Sequence, residues 1–163
     1  MKVASLASVV TLLLSCGGVG EKDHGWQPLH GTSYVTPKYG ITFYWVGPGG
    51  KYQTPEEVSS AIDELIPDWY QIYEKKFGFA LSREQRLSMI QRIDIQLFRG
   101  SAIRGNTGSW SVDTLGIWWP WNHQIDVAMA APYHWDTGLD VWSEGLQVLR
   151  HEWTHVLQGE YHP

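Results

Sequence analysis

Between Thr54 and Gly78 the apolar residues Val58, Ile62, Leu65, Ile66, Trp69, Ile72, Tyr73 and Phe77 return at intervals of three and four. That spacing gathers them into one stripe of a helix, and so long an apolar stripe has to be covered by the rest of the chain. Thr54-Pro55-Glu56-Glu57 supplies the start: a threonine to cap free N–H groups, a proline where the first turn needs no donor, and a glutamate to close a capping box. Gly78 supplies the end, and Pro67 predicts a bend on the way. In a chain of 163 residues such a helix belongs to one domain with one core.

The cover is read from the segments around it. Ile41, Phe43 and Trp45 alternate with Thr42, Tyr44 and Val46 until Gly47-Pro48-Gly49-Gly50 interrupts, which predicts a strand. Ser82 to Gln85 opens a second, shorter helix, and Ile93, Ile95 and Leu97 alternate with Asp94 and Gln96 as a second strand. Residues 99–109 read as a loop, 110–119 as a weakly patterned strand or hairpin, and 124–130 as a strand after the turn-like Pro120-Trp121-Asn122. After a loop over 132–140, Ser143 can cap a final helix with an apolar stripe of Leu146, Leu149, Trp153, Val156 and Leu157, and Gly159 is placed to end it. No internal repeat interrupts this order, which predicts an α+β fold: a small mixed sheet, a long N-terminal helix and a C-terminal helix.

The N-terminus has a different character. Met1-Lys2 is a short basic start, and the run from Val3 to Leu14 has the length of a signal peptide, too short for a permanent bilayer span. Leu13-Leu14-Ser15-Cys16 resembles the lipobox of bacterial lipoproteins, which implies cleavage after residue 15 and lipid on Cys16. Cys16 is the only cysteine, which excludes a disulfide framework and agrees with a thiol consumed by acylation. Residues 16–38, rich in Gly, Pro and polar side chains and holding His24 and His30, read as a tether between membrane and a domain over 39–163. Gly17 after the cysteine fits outer-membrane sorting in a host with two membranes. The net charge of -5 and the lack of a Lys/Arg cluster leave no basic surface for nucleic acid.

Chemistry concentrates on the last helix, where His151-Glu152-Trp153-Thr154-His155 occurs. Histidines four apart project from one face, so His151 and His155 can bind one Zn2+ ion through a ring nitrogen each. Glu152 suits a general base that holds a metal-bound water, takes its proton during attack on a carbonyl and passes it to the leaving amine. Peptide or protein is the substrate class that this chemistry implies.

Here the chain resembles the zincin group of zinc metallopeptidases, in which the two-histidine helix lies beneath a mixed sheet whose edge strand holds substrate. The resemblance covers residues 151–162, and residues 124–130 are the candidate substrate-lining strand. His162, three residues after Gly159, resembles the third zinc ligand of the metzincin branch, where a glycine ends the helix and turns the chain back to the metal. That branch has two residues between the second histidine and the glycine, whereas this sequence has three: Val156, Leu157 and Gln158. The chain stops at Pro163, without the methionine turn of that branch. Glu160, His134, Asp136 and His123 are the other candidates for the third ligand, and Glu144 suits a supporting contact. Tyr161 offers a hydroxyl for an oxyanion.

Ten tryptophans, three of them in Trp118-Trp119-Pro120-Trp121, either fill the core and its rim or present rings to a ligand. The second possibility gives the competing function: an envelope lipoprotein that binds glycan or protein through exposed tryptophans, with a structural zinc site or none.

Overall fold

The computed structural model describes residues 28–78, 81–100, 103, 115–130 and 145–161. The signal-like segment, Cys16, His24, His134, Asp136, Glu144 and His162 lie outside the described residues, as do the side chains of Glu160 and Tyr161.

The described elements are β1 (Thr32–Val35), β2 (Thr42–Trp45), α1 (Pro55–Phe77), α2 (Arg83–Ile90), β3 (Asp94–Phe98), β4 (Gly116–Trp119), β5 (Gln124–Ala128) and α3 (Leu149–Tyr161). The fold is α+β, with one five-stranded mixed sheet in the order β1-β2-β3-β5-β4. Strands β2, β3 and β5 run parallel, and the two edge strands are antiparallel to their neighbours. Among the described residues no helix is long and apolar enough to cross a membrane.

The long helix starts as its sequence predicts. Thr54 accepts from the Glu57 N–H, the Glu57 carboxylate accepts from the Thr54 N–H, and Gly78 caps the other end at φ 73°. It is internal to the fold instead of N-terminal, because β1 and β2 precede it. It also continues through Pro67, since Ile66 and Trp69 on either side are fully buried and packing outweighs one lost backbone hydrogen bond. The second helix carries its own capping box between Ser82 and Gln85. Buried Arg86 ties it to α1 through the Glu74 carboxylate at 2.8 Å and lies over the rings of Tyr70 and Tyr73.

The sheet has two unlike faces. Phe43, Ile95 and Ile125 lie side by side across β2, β3 and β5, Leu97 pairs with Val127, and all five are fully buried. The opposite face carries Tyr44, Gln96 and Asp126 in register, with Asp94 beside Gln124.

Two expectations are corrected here. Strand β1 lies inside the stretch whose composition reads as a tether, so the sheet begins before residue 39. One reason it was hidden is that three of its four residues are exposed, which leaves no alternating pattern, while Tyr34 alone stacks on Phe43 at 5.5 Å. His30 is also part of the fold: its backbone N–H donates to Gln96 Oε1 at 2.7 Å and its carbonyl accepts from Gln96 Nε2 at 3.2 Å. The second correction concerns β5, which lies between β3 and β4 and is no edge; the edge beside α3 is β4. Strand order across a sheet is set by non-local pairing, which one strand's own pattern does not contain.

Candidate active site

Helix α3 is entered through a 3-10 turn, Gly145–Val148. Gly145 has φ 63°, and a Cβ there would stand 2.8 Å from the Met129 carbonyl oxygen, so both conformation and space require glycine. Leu146, Leu149, Trp153, Val156 and Leu157 are buried, as the apolar stripe predicts. Trp153 meets Trp69 of α1 at 5.5 Å between rings, and the Trp69 indole N–H donates to Thr154 Oγ1 at 3.4 Å. Replacing either buried tryptophan by alanine would cost about 3–5 kcal/mol, so α3 is held at a fixed rotation. That rotation leaves His151 and His155 half-buried on one flank.

The two imidazoles stand edge to face at 4.5 Å, with their Nε2 atoms 2.9 Å apart. Two nitrogens bound to one tetrahedral zinc at 2.0–2.1 Å would lie roughly 3.3 Å apart, so a small opening of this pair fits the ion. The donor chemistry fits as well. His155 Nδ1 lies 3.1 Å from Gln158 Oε1, an acceptor, an arrangement that suits an Nδ1–H ring with its lone pair on Nε2, as a metal requires. Burial lowers the pKa of His155, which favours that neutral ring, and the Gln158 hydrogen bond opposes the shift.

Glu152 points the other way, into the sheet, and is only 5% exposed. Its carboxylate lies against Gly116 of β4, where an added Cβ would come within 2.9 Å of Oε1 and 3.1 Å of Cγ. Gly116 is thus a close neighbour of Glu152 that the sequence did not announce. The neighbouring contact follows from ladder alternation. Ala128 N–H donates to the Leu115 carbonyl, so 115, 117 and 119 hydrogen-bond to β5 while the Trp118 N–H turns away from β5. Glu152 accepts from that backbone group. Burial pushes Glu152 up to about 8 against this hydrogen bond, and the nearby charge of Asp126 adds to the rise.

Asp126, 2% exposed, is a buried carboxylate near Glu152 that the sequence did not single out. It accepts from the Trp119 indole N–H at 2.8 Å and from Gln124 Nε2 at 2.6 Å, and so ties β4 to β5. Burial raises it to about 6, opposed by those two hydrogen bonds. An aspartate between Ile125 and Val127 in an otherwise apolar strand was the available signal.

Among the described residues no group of three or more His, Cys, Asp or Glu side chains converges on one point. His123 follows the 3-10 turn Pro120–Asn122, is exposed at φ 48°, and faces Trp118 at 6.4 Å without joining the histidine pair. Gly159 does not end α3, which runs on to Tyr161. Its φ is not positive, and Leu157 and Trp153 before it are buried, so packing carries the helix past the glycine. At about 1.5 Å per residue, Tyr161 stands roughly 9 Å along the axis beyond His155, so His162 reaches the pair only if the chain reverses directly after the helix.

The described tryptophans mostly fill the core and its rim. Trp69 and Trp153 are fully buried, Trp45 and Trp119 nearly so, Trp118 is half-buried, and Trp121 alone of them is 56% exposed.

No family model, curated protein or solved structure matches the chain.

Proposed function

We propose that the protein is a zinc-dependent peptidase of the cell envelope, with a zincin-like arrangement of α3 beneath the sheet. The observation that carries this reading is the pair of Nε2 atoms, 2.9 Å apart, with Gln158 Oε1 3.1 Å from His155 Nδ1 on the far side of the ring. His151 and His155 would hold the ion, and His162 is the candidate third ligand. Zinc bound there supplies a lowered water pKa, near 7, and a polarised substrate carbonyl.

The chain's own residues do the rest. Glu152 takes the proton from the attacking water and returns it to the leaving amine. At a pKa of about 8 the carboxyl holds its proton at neutral pH, so the base role needs the opposite charge that a cation on the adjacent histidines provides. The Trp118 N–H keeps the carboxylate at the edge of β4 that faces away from β5, which has no strand beside it among the described residues. An extended peptide pairing with that edge would bring its carbonyl past the histidines, which makes β4 the strand that lines the substrate. Lipid on Cys16 would hold the enzyme at the membrane, in the outer membrane of a two-membrane host.

The test is cleavage of a mixed peptide library by the soluble domain. The expected result is turnover that a chelator abolishes and zinc restores, reduced about 10²–10⁴-fold in Glu152→Gln with zinc content unchanged. A properly folded, zinc-loaded protein that cuts nothing in the library would overturn the peptidase reading.

A further inference from the structure

The histidine pair has a partner on the same helix that no sequence pattern singled out. Side chains of an α-helix lean toward its N-terminus, so a residue three positions later lies back over an earlier one. Gln158 does this to His155, placing Oε1 3.1 Å from Nδ1. The contact exists because α3 continues past Gly159: with Gln158 inside the helix and not in a turn, its backbone is fixed and its amide has one short path to the ring. A nearby Cβ at position 159 would have room, 3.6 Å from the Trp118 indole nitrogen, so glycine there is not demanded by the histidines.

We propose that Gln158 is a positioning residue that holds His155 as the Nδ1–H tautomer and aims its Nε2 lone pair at the metal position. Gln158 Oε1 accepts the Nδ1 proton, and His151 Nε2–H then supplies the proton of the 2.9 Å contact with His155 Nε2. In the wild type only His151 has to move its proton off Nε2 before the pair can ligate; without the acceptor nothing holds His155 in the ligating tautomer or its ring in one orientation. Second contacts of this kind orient metal-binding histidines and typically change affinity by 10–100-fold. The proposal rests on the zinc reading for its consequence but not for its geometry, which the metal-free chain already contains.

The experiment pairs two measurements on the full-length protein. In metal-free protein, ring nitrogen NMR should report His155 with Nδ1 protonated and Nε2 bare, a pattern lost in Gln158→Leu and kept in Gln158→Glu, whose carboxylate can only accept. Zinc titration against a competing chelator should then find Gln158→Leu about 10–100-fold weaker than wild type and Gln158→Glu at least as tight. Wild-type protein with the Nε2–H tautomer at His155, or Gln158→Leu binding zinc as tightly as wild type, would overturn the proposal. A wild type that shows the expected tautomer and binds no zinc would instead overturn the zinc reading and leave the tautomer assignment standing.

Discussion

Gly116 and Glu152 make one unit although 36 positions separate them, since the carboxylate occupies the space that any other side chain would fill. Gly116→Ala should push Glu152 aside, because a flexible carboxylate yields before a strand backbone does. Peptide turnover is expected to fall about 100-fold, the scale of an ångström of misplacement, with zinc content and melting temperature little changed. Unchanged turnover would separate Gly116 from the chemistry. Asp126 gives a pH test. Its folded pKa of about 6 exceeds the ordinary aspartate value of 3.8, so the native carboxyl holds its proton more tightly than the unfolded one. The stability this lends is complete below about 3.8 and is lost as pH rises through about 6, a difference of about 3 kcal/mol. The contribution of Glu152, raised to about 8, declines over the same range, so thermal unfolding of metal-free Glu152→Gln protein between about pH 4.5 and 7 should isolate the Asp126 decline, and adding Asp126→Asn should flatten it. An equal slope in both would contradict the buried-carboxylate account. Neither contact was legible in the sequence, because a glycine's reason for being small and an aspartate's burial are properties of what lies opposite.

At the scale of elements, local codes were legible and non-local ones were not. Both capping boxes, Thr54 with Glu57 and Ser82 with Gln85, form as their residue types dictate, because every participant lies within four positions. The apolar stripe of α3 likewise placed His151 and His155 on one flank before any packing was known. Strand β1 and the edge position of β4 escaped, since pairing partners decide both. Gly159 shows the limit of a local code, as a C-terminal glycine signal was overridden by buried Trp153 and Leu157. That reversal predicts a sign. Gly159→Ala adds a good helix former inside a helix, with its Cβ in ordinary contact 3.6 Å from Trp118 Nε1, and should stabilise by about 0.5–1 kcal/mol. A glycine in a left-handed cap would lose stability on the same change, so chemical denaturation of the two proteins distinguishes the cases.

For the whole molecule, the proposed plan is an anchor at the single cysteine after a signal-like segment, a short lead, and a domain built on the mixed sheet. Cys16→Ser should release the protein from the membrane fraction without altering the unfolding of the domain, and persistence in that fraction would place the attachment elsewhere. The plan serves a peptidase only if α3 holds a metal. The most direct measurement is therefore elemental analysis of the purified soluble domain beside His151→Ala and His155→Ala, each verified as folded. About one zinc per chain is expected in the wild type and in Glu152→Gln, with less than a tenth of that in either histidine variant. A folded wild type without zinc, or histidine variants that keep it, would contradict the account.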